Sequence, residues 1–252
     1  MKQKLGNVFF EKIDYSATRS EPQNLLQGEI NGANVLSYKP VAGSTILFPP
    51  QGDYVRIFVL INGEVEFLTN GSTFLFKERT FFVPDPAKGL SVRAAGNPHF
   101  LELRWNISKK DEPIMKSFES RAPLIQPYAE APLYNDDTKS KKTLSRSIIL
   151  QYTLPRICIG SVETNGPDHV DSHVHPHVDQ LFYTFPENDM DLIVENERHH
   201  IGGNTLLHIP LGSSHGAEVA SGRKLHYIWI DFIIDTEGFR YLDESHRLVD
   251  AK

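Results

Sequence analysis

The sequence predicts an all-β protein, and three observations support this fold class. Its apolar segments are short and rich in Val, Ile, Phe and Tyr, as at 55–61, 64–69, 147–153, 181–185 and 225–234. Asn-Gly pairs, which favour tight turns between antiparallel strands, lie at 31–32, 62–63, 70–71 and 165–166. Apolar residues with helical spacing are scarce. We therefore expect a β-barrel or a β-sandwich.

An internal repeat indicates that one β-domain occurs twice. Identical residues align at a constant offset of 126 positions, half of the 252-residue chain: Pro84 with Pro210, Asp53 with Asp179, Ala94 with Ala220 and Gly96 with Gly222. A constant offset favours duplication of one structural unit. We therefore expect a first β-domain over 1–105, a connector over 106–146, a second β-domain over 147–235 and a C-terminal tail over 236–252.

The connector and the tail differ in composition from the two β-domains. Residues 106–146 have mixed charge, prolines and small polar residues. We expect this connector to wrap over the surface, with a short helix near 114–120. In the tail we expect a short helix that places Phe239, Leu242 and His246 on one side.

Composition and charge exclude several classes of function. The 26 Lys and Arg residues and the 32 Asp and Glu residues give a net charge of −6 without a basic cluster, which argues against a nucleic-acid partner. No apolar run approaches the roughly 18 residues of a membrane-spanning helix, and the N-terminus lacks a signal-peptide pattern. We therefore expect a cytoplasmic protein with no membrane partner. The single cysteine, Cys158, lies in an apolar segment and is expected to be a small core residue.

Residues that can carry chemistry are concentrated in the second half of the chain. The segment His173-Val-His175-Pro-His177-Val-Asp179-Gln180 is followed at a distance by His215. Alternate residues of a strand share one face, so His173 and His175 can form half of a metal site. His177 would share that face in an extended strand, but exposure at the rim explains it equally well.

The first half of the chain has no counterpart to these side chains. At the offset of 126 positions, they align with ordinary core or loop residues: His173 with Leu47, His175 with Pro49, Gln180 with Tyr54 and His215 with Gly89. A scaffold role for the histidines would be expected in both copies. Their confinement to one copy therefore favours a single site in the C-terminal half.

The pattern His-x-His-x4-Gln, followed by Pro-x-Gly-x-x-His at 210–215, resembles the two sequence motifs of the cupin superfamily. Cupins are small β-barrels whose paired motifs supply four ligands to one divalent metal ion. The resemblance implies that His173, His175, Gln180 and His215 are the metal ligands. It also implies a bicupin, with two tandem cupin-type barrels (jelly rolls) of which the N-terminal one is degenerate and binds no metal.

Asp179, which precedes Gln180, is an alternative candidate for the fourth ligand. Strict alternation from His175 would turn Asp179, and not Gln180, toward the histidines. The spacing of the cupin motif implies instead that the chain bends near Pro176, and this favours Gln180. Three imidazoles and one amide are neutral, so the site would keep the full charge of the metal and favour a small anionic substrate such as a sugar acid. The ligand types suit Ni, Zn, Fe(II), Co or Mn alike.

The His-x-His-Pro-His-x-x-Gln segment resembles a subgroup of cupins that includes the KdgF-type uronate-processing enzymes. The resemblance implies an enzyme that isomerises or tautomerises a small sugar acid or keto acid through a metal-stabilised enolate. Two residues are candidates for the base that moves the proton. Asp231 matches a catalytic Asp on the last strand of that subgroup, and His208 is expected to line the barrel interior.

Two other functions fit the same ligand set. One is an Fe(II)-dependent dioxygenase of the cupin type, and the other is a non-catalytic sugar-binding or sensor module, since a fold does not fix a function. A bicupin pairs two barrels within one chain, so both a monomer and a homodimer are compatible with the sequence.

Overall fold

The computed structural model describes residues 2–245 and 247–248. The chain divides into two compact units: residues 14–130 form the N-terminal unit, and residues 1–13 together with 131–252 form the C-terminal unit. Both are built from antiparallel strands, which confirms the all-β prediction. None of the helices in the described part of the chain is long and apolar enough to cross a membrane.

The N-terminal unit contains ten strands in two antiparallel sheets. The strands are β3 (Gln23–Leu25), β4 (Ala33–Tyr38), β5 (Thr45–Phe48), β6 (Tyr54–Asn62), β7 (Val65–Thr69), β8 (Ser72–Phe76), β9 (Thr80–Val83), β10 (Leu90–Ala94), β11 (His99–Asn106) and β12 (Leu124–Pro127). The sheet orders are β12-β9-β6-β11-β4-β3 and β5-β10-β7-β8. Helix α1 (Glu112–Glu119) lies between two 3₁₀ turns, Lys109–Asp111 and Tyr128–Glu130, and confirms the helix expected near 114–120.

Aromatic rings fill the interior of the N-terminal unit. One apolar cluster contains six of them: Tyr38, Phe48, Phe58, Phe67, Phe82 and Phe100. Neighbouring rings have centroids 4.6 Å apart for Phe67 and Phe82 and 4.8 Å apart for Tyr38 and Phe100, which is close packing for aromatic pairs. Among the described residues of this unit, no group of three His, Cys, Asp or Glu side chains could hold a metal ion.

A buried carboxylate organises the polar part of the same interior. Glu102 is fully buried and accepts hydrogen bonds from Tyr38 (2.6 Å), Arg56 (2.7 Å) and Arg104 (2.8 Å). A buried charge is tolerated only when it is paired and its lone pairs are satisfied. The two guanidinium groups and the phenol meet that requirement for Glu102.

The C-terminal unit begins with a hairpin from the start of the chain, β1 (Gln3–Leu5) and β2 (Val8–Lys12). Its other elements are β13 (Tyr134–Asn135), β14 (Leu144–Leu154), β15 (Ile157–Asn165), β16 (Asp168–His173), β17 (Val178–Thr184), β18 (Asp189–Val194), β19 (Glu197–Gly202), β20 (Thr205–Ile209), β21 (His215–Val219), β22 (Lys224–Ile233), α2 (Thr236–Ser245) and β23 (Arg247–Leu248). The sheet orders are β1-β2-β20-β17-β22-β15-β14, β16-β21-β18-β19 and β13-β23.

Alternation along β22 defines the inner face of the large sheet. Tyr227, Trp229 and Ile233 belong to the apolar core cluster, together with Leu192 and Val194 of the opposite sheet. Because alternate residues share a face, the residue between Trp229 and Ile233 in this series also points inward. That residue is Asp231, so the strand places one carboxylate next to the apolar core cluster.

The domain boundaries differ from those expected from the sequence. The first 13 residues do not belong with the N-terminal unit, because β2 pairs with β20 in the sheet of the C-terminal unit. The expected connector over 106–146 is divided: its first part carries α1 and β12, which pairs with β9, and its part from residue 131 onward belongs to the C-terminal unit. Non-local strand pairing decides both boundaries, and it leaves no periodic signal in the sequence.

In the tail, the expected helix is present as α2, with Leu242 buried and Phe239 packed against the core of the C-terminal unit. His246, which was expected on the same side, lies outside the described residues, as do residues 249–252.

Replacement of Gly160 by Ala should destabilise the C-terminal unit. A Cβ atom at this position on β15 would overlap with the indole ring of Trp229 and the carbonyl oxygen of Arg146, and overpacking of this kind costs about 1–3 kcal/mol. Gly202→Ala is the matched control, since nothing lies within 4 Å of a Cβ there. Urea denaturation should show a lower free energy of unfolding for Gly160→Ala alone, and equal values for the two variants would contradict the packing described here.

Candidate metal centre

Three histidine side chains meet inside the C-terminal unit. One ligand nitrogen from each of His173, His175 and His215 lies within 4.8 Å of the others. His173 ends β16 and His215 begins β21, and the two are cross-strand partners in the small sheet. His175 lies two residues beyond the end of β16. The ends of two paired strands thus bring together imidazoles that are about 40 residues apart in the sequence.

Backbone carbonyl groups fix the orientation of two of these rings. Nδ1 of His173 lies 2.7 Å from the carbonyl oxygen of Asp171, and Nδ1 of His215 lies 3.1 Å from that of Ser213. A carbonyl oxygen only accepts hydrogen bonds, so each Nδ1 carries the proton and each Nε2 keeps its lone pair. Metal-binding histidines are commonly oriented in this way.

His215 is the most deeply buried of the three histidines. Nε2 of His215 is buried and has no hydrogen-bond partner in the described part of the chain. Burial, with a smaller contribution from His173, lowers the pKa of His215 to about 3. The ring is therefore neutral at pH 7, and its free lone pair is available to a metal ion.

The chain bends between the histidines and the next strand, as the motif spacing predicted. Residues 174–177 form no strand between β16 and β17. After this bend Gln180 lies on the inner face of β17. Asp179, its rival for the fourth ligand position, lies on the opposite face, where its Oδ1 is 2.9 Å from Nε2 of His208.

A cross-strand hydrogen bond determines the orientation of the Gln180 amide. Gln180 on β17 and Asp231 on β22 are directly paired, and Nε2 of Gln180 donates to Oδ1 of Asp231 at 2.7 Å. With its amide nitrogen bound to the carboxylate, Gln180 turns Oε1 away from it. That oxygen is buried without a hydrogen-bond partner, and so is Oδ2 of Asp231. Unsatisfied buried polar atoms are costly, and these two oxygens are suited to bind a metal ion or a proton.

Most of these groups line one small cavity, and His215 lies behind its wall in contact with His173 and His175. Its volume is about 20 Å³, and its lining consists of Asp136, Lys139, His173, His175, Gln180, Phe182, Tyr227, Trp229 and Asp231. This space holds about one water-sized particle. Three imidazole nitrogens and an amide oxygen are suitable donors for a divalent ion of the Fe, Co, Ni or Zn type. The residues present therefore fit a single metal ion.

Asp231 is the most unusual titratable group of the cavity. Its side chain is fully buried, and burial raises its pKa to about 7, although the hydrogen bond from Gln180 and the charge of Lys139 act in the opposite direction. Its cross-strand neighbour on β15 is Cys158, which is buried as expected of a small core residue.

The structure does not place His208 in the cavity, contrary to the expectation that it lines the barrel interior. Its neighbour Ile209 pairs with Gln180 across β20 and β17 and shares the inner face. Alternation therefore turns His208 to the other face of the sheet, where it contacts Asp179. His208 is not positioned to act on a substrate at the three histidines.

His177 lies at the surface. Its side chain is 36% exposed and its Nδ1 is 3.1 Å from Oδ2 of Asp235, just before α2 begins. The carbonyl oxygen of His177 also accepts a hydrogen bond from the backbone of Ile234. These contacts attach α2 to the segment that carries His175, so His177 belongs to the rim of the site.

One charged residue of the cavity was not recognised in the sequence. Lys139 lies in the part of the chain that was expected to be a surface connector, yet its side chain is only 7% exposed. Its ammonium group is 2.9 Å from the hydroxyl of Tyr134 and 2.6 Å from Oδ2 of Asp136. The only sequence signal was an Asp and a Lys three positions apart, a spacing that is usual on solvated surfaces.

Tyr134 and Asp136 keep Lys139 charged. Burial by itself would lower the pKa of Lys139, but the negative charge of Asp136 and its hydrogen bond act in the opposite direction, and the pKa lies above its ordinary value. The cavity thus contains a permanent ammonium group beside the imidazoles.

Comparison with known proteins identifies the fold. No protein-family profile and no curated protein matches the sequence. A Pseudomonas aeruginosa protein named as glyoxylate-induced matches with a TM-score of 0.70 at 10% identity, over 93% of this chain and 85% of that one. A cupin 2 conserved barrel domain protein from Leptotrichia buccalis matches with a TM-score of 0.60 at 13% identity, over 92% of both chains.

Oxalate decarboxylase from Lactobacillus farciminis, in its complex with formate, matches with a TM-score of 0.62 at 12% identity, over 92% of this chain and 88% of that one. At such low identity these likenesses establish the fold and not the activity. The chain therefore has the cupin fold, as its two histidine motifs predicted.

Proposed function

We propose that the C-terminal unit contains the active site of a metal-dependent enzyme that isomerises or tautomerises a small keto acid or sugar acid. The observation that carries the proposal is the pair formed by Gln180 and Asp231. Each presents a buried oxygen without a hydrogen-bond partner to the cavity that His173 and His175 also line. The amide oxygen of Gln180 is suited to bind a metal ion, and Oδ2 of Asp231 is suited to accept and donate a proton.

His173, His175, His215 and Gln180 would hold the metal ion. A bound divalent ion would supply a Lewis acid that polarises a carbonyl or hydroxyl oxygen of the substrate. Because all four ligands are neutral, their charge does not offset that of the ion, and an anionic substrate is favoured.

Asp231 is the group that we assign to proton transfer. Its Oδ2 would accept a proton from the carbon next to the substrate carbonyl and return it to a neighbouring carbon or oxygen, so the carboxylate is regenerated. The hydrogen bond from Gln180 holds Oδ1 and thereby leaves Oδ2 directed at the cavity. Phe182, Tyr227 and Trp229 form the apolar part of the wall and keep water away from the reacting carbon.

The similar proteins support the substrate class. One of them is an oxalate decarboxylase in complex with formate, and another is named for induction by glyoxylate. Oxalate, formate and glyoxylate are all small carboxylates. The resemblance of the His-x-His-Pro-His-x-x-Gln segment to uronate-processing cupins extends the class to sugar acids. The two alternative functions, a dioxygenase and a sugar-binding module, would use the same metal site. Neither of them requires proton transfer by Asp231.

Metal content tests the ligand set. We expect the purified protein to bind about one equivalent of Co(II) or Ni(II), and His173→Ala or His215→Ala to weaken the affinity at least about 100-fold, since each removes a direct ligand. His200→Ala is the control, because that side chain is 62% exposed on β19. Elemental analysis and the visible absorption of the Co(II) form measure both quantities. Unchanged binding in the two ligand variants would refute the site.

Proton exchange tests the reaction class. Incubation of the metal-loaded protein with a panel of uronates and small keto acids in D₂O should incorporate deuterium next to the carbonyl group, as seen by NMR. Asp231→Asn should slow the exchange by at least about 100-fold, whereas His208→Gln should remain within about threefold of the parent protein, since His208 faces away from the cavity.

The same assay separates the alternatives. Exchange that proceeds without oxygen and depends on Asp231 is the expected result. Oxygen consumption by the Fe(II) form without exchange would favour a dioxygenase. Ligand binding without exchange or oxygen consumption would favour a binding module, and both of these results contradict the proposal.

A further inference from the structure

We infer that Lys139 selects an anionic substrate by binding its carboxylate, while an oxygen on the adjacent carbon would bind the metal ion held by the histidines. The inference rests on the proposed function, because it concerns the same cavity, but it assigns a separate task to a residue outside both histidine motifs. The chemical class that it specifies is an α-hydroxy or α-keto monocarboxylate. Its neutral amide or ester analogue would be bound poorly.

The position of Lys139 is fixed by the backbone around it. The carbonyl oxygen of Thr138 accepts a hydrogen bond from the backbone N–H of Asp171 at 2.8 Å, and Lys139 forms a β-bridge with Val170. Asp171 and Val170 lie on β16, the strand that ends with His173. The segment that carries the ammonium is therefore attached directly to the strand that carries a candidate metal ligand.

The ammonium group retains a donor for a ligand. A lysine side chain has three N–H donors, and the hydroxyl of Tyr134 and the carboxylate of Asp136 account for two of them. Lys139 and Asp136 both line the cavity beside His173 and Gln180. A carboxylate that enters the cavity can therefore accept a hydrogen bond from the third donor.

The balance of charge in the cavity requires an anion once a metal is present. A divalent ion on neutral ligands contributes two positive charges and Lys139 contributes one. The only acidic side chains that line the cavity within the described residues are Asp136 and Asp231, which together contribute two negative charges at most. An uncompensated buried charge is costly, so one carboxylate from the substrate neutralises the site.

The size of the cavity further limits the class of ligand that it can bind. At about 20 Å³ it accommodates an ion without rearrangement, and any substrate must displace lining side chains. Lys139 has the longest and most flexible side chain among those that line it. A carboxylate compensates for this displacement because it forms a charge-assisted hydrogen bond with the same side chain that it moves.

Ligand binding to the Zn(II)-loaded full-length protein tests the inference. The probes are lactate, an α-hydroxy monocarboxylate, and lactamide, its neutral amide, with calorimetric titration as the measurement. We expect the parent protein to prefer lactate, and Lys139→Met to weaken lactate binding by about 10–100-fold while lactamide binding stays within about threefold. Lys139→Arg should restore at least part of the affinity for lactate.

Lys142→Met is the matched control. It makes the same chemical change and the same change in net charge at an exposed position three residues away, and it should leave both affinities unaltered. If Lys139 served only to attach this segment to β16, its replacement would change the thermal stability, or the affinities for both probes equally. A selective loss of lactate binding distinguishes substrate recognition from that role.

Lys139→Gln provides a second test should Lys139→Met not fold. It keeps a polar side chain beside Tyr134 and Asp136 and removes the positive charge, so lactate should bind about 10–100-fold less tightly, and lactamide should be unaffected. Lactate binding in Lys139→Met or Lys139→Gln equal to that of the parent would overturn the inference. Elemental analysis of the same samples separates the two proposals: loss of zinc from the parent protein refutes the metal centre, whereas failure of the charge preference with zinc in place refutes only the role of Lys139.

Discussion

The register of β17 against β22 is the constraint on which the candidate site depends. It sets Gln180 opposite Asp231, so the carboxylate binds the amide nitrogen and leaves the amide oxygen unpaired beside the cavity that His173 and His175 line. A shift of one residue would turn Asp179 inward and send Gln180 to the other face. Both strands lie inside a seven-stranded sheet and pair on either side. Buried neighbours such as Trp229 and Ile230 occupy both faces of β22 and oppose such a shift.

The interiors of the two units differ in how their buried polar groups are arranged. In the N-terminal unit six aromatic rings pack together, and the buried charge of Glu102 is fully paired with Arg56, Arg104 and Tyr38. In the C-terminal unit, Gln180, His215 and Asp231 each keep a buried polar atom without a partner. Such atoms lower stability unless a ligand satisfies them. The N-terminal unit also has them, at Gln51 and His99, but its described residues bring no three His, Cys, Asp or Glu side chains together as the C-terminal unit does.

Much of the fold and of the site could be predicted from the sequence. Short apolar segments and Asn-Gly turns gave the all-β class, and the spacing of His173, His175, Gln180 and His215 gave the cupin fold and a set of side chains that the structure brings together. These signals are local, because alternation along a strand and the positions of turns depend on neighbouring residues. The assignment of Gln180 in place of Asp179 needed the bend after His175, which the motif spacing implied and strand periodicity did not.

Pairing between distant segments was decided only by the tertiary structure. It added the first strands of the chain to the sheet of the C-terminal unit, turned His208 to the outer face, and buried Lys139 of the expected surface connector beside the imidazoles. The physical reason is that burial of a polar residue depends on which strand or side chain satisfies it. The sequence by itself thus determined the strands, the turns and the candidate ligands, whereas the folded chain decided which charged groups, Asp231 and Lys139, share the cavity with them.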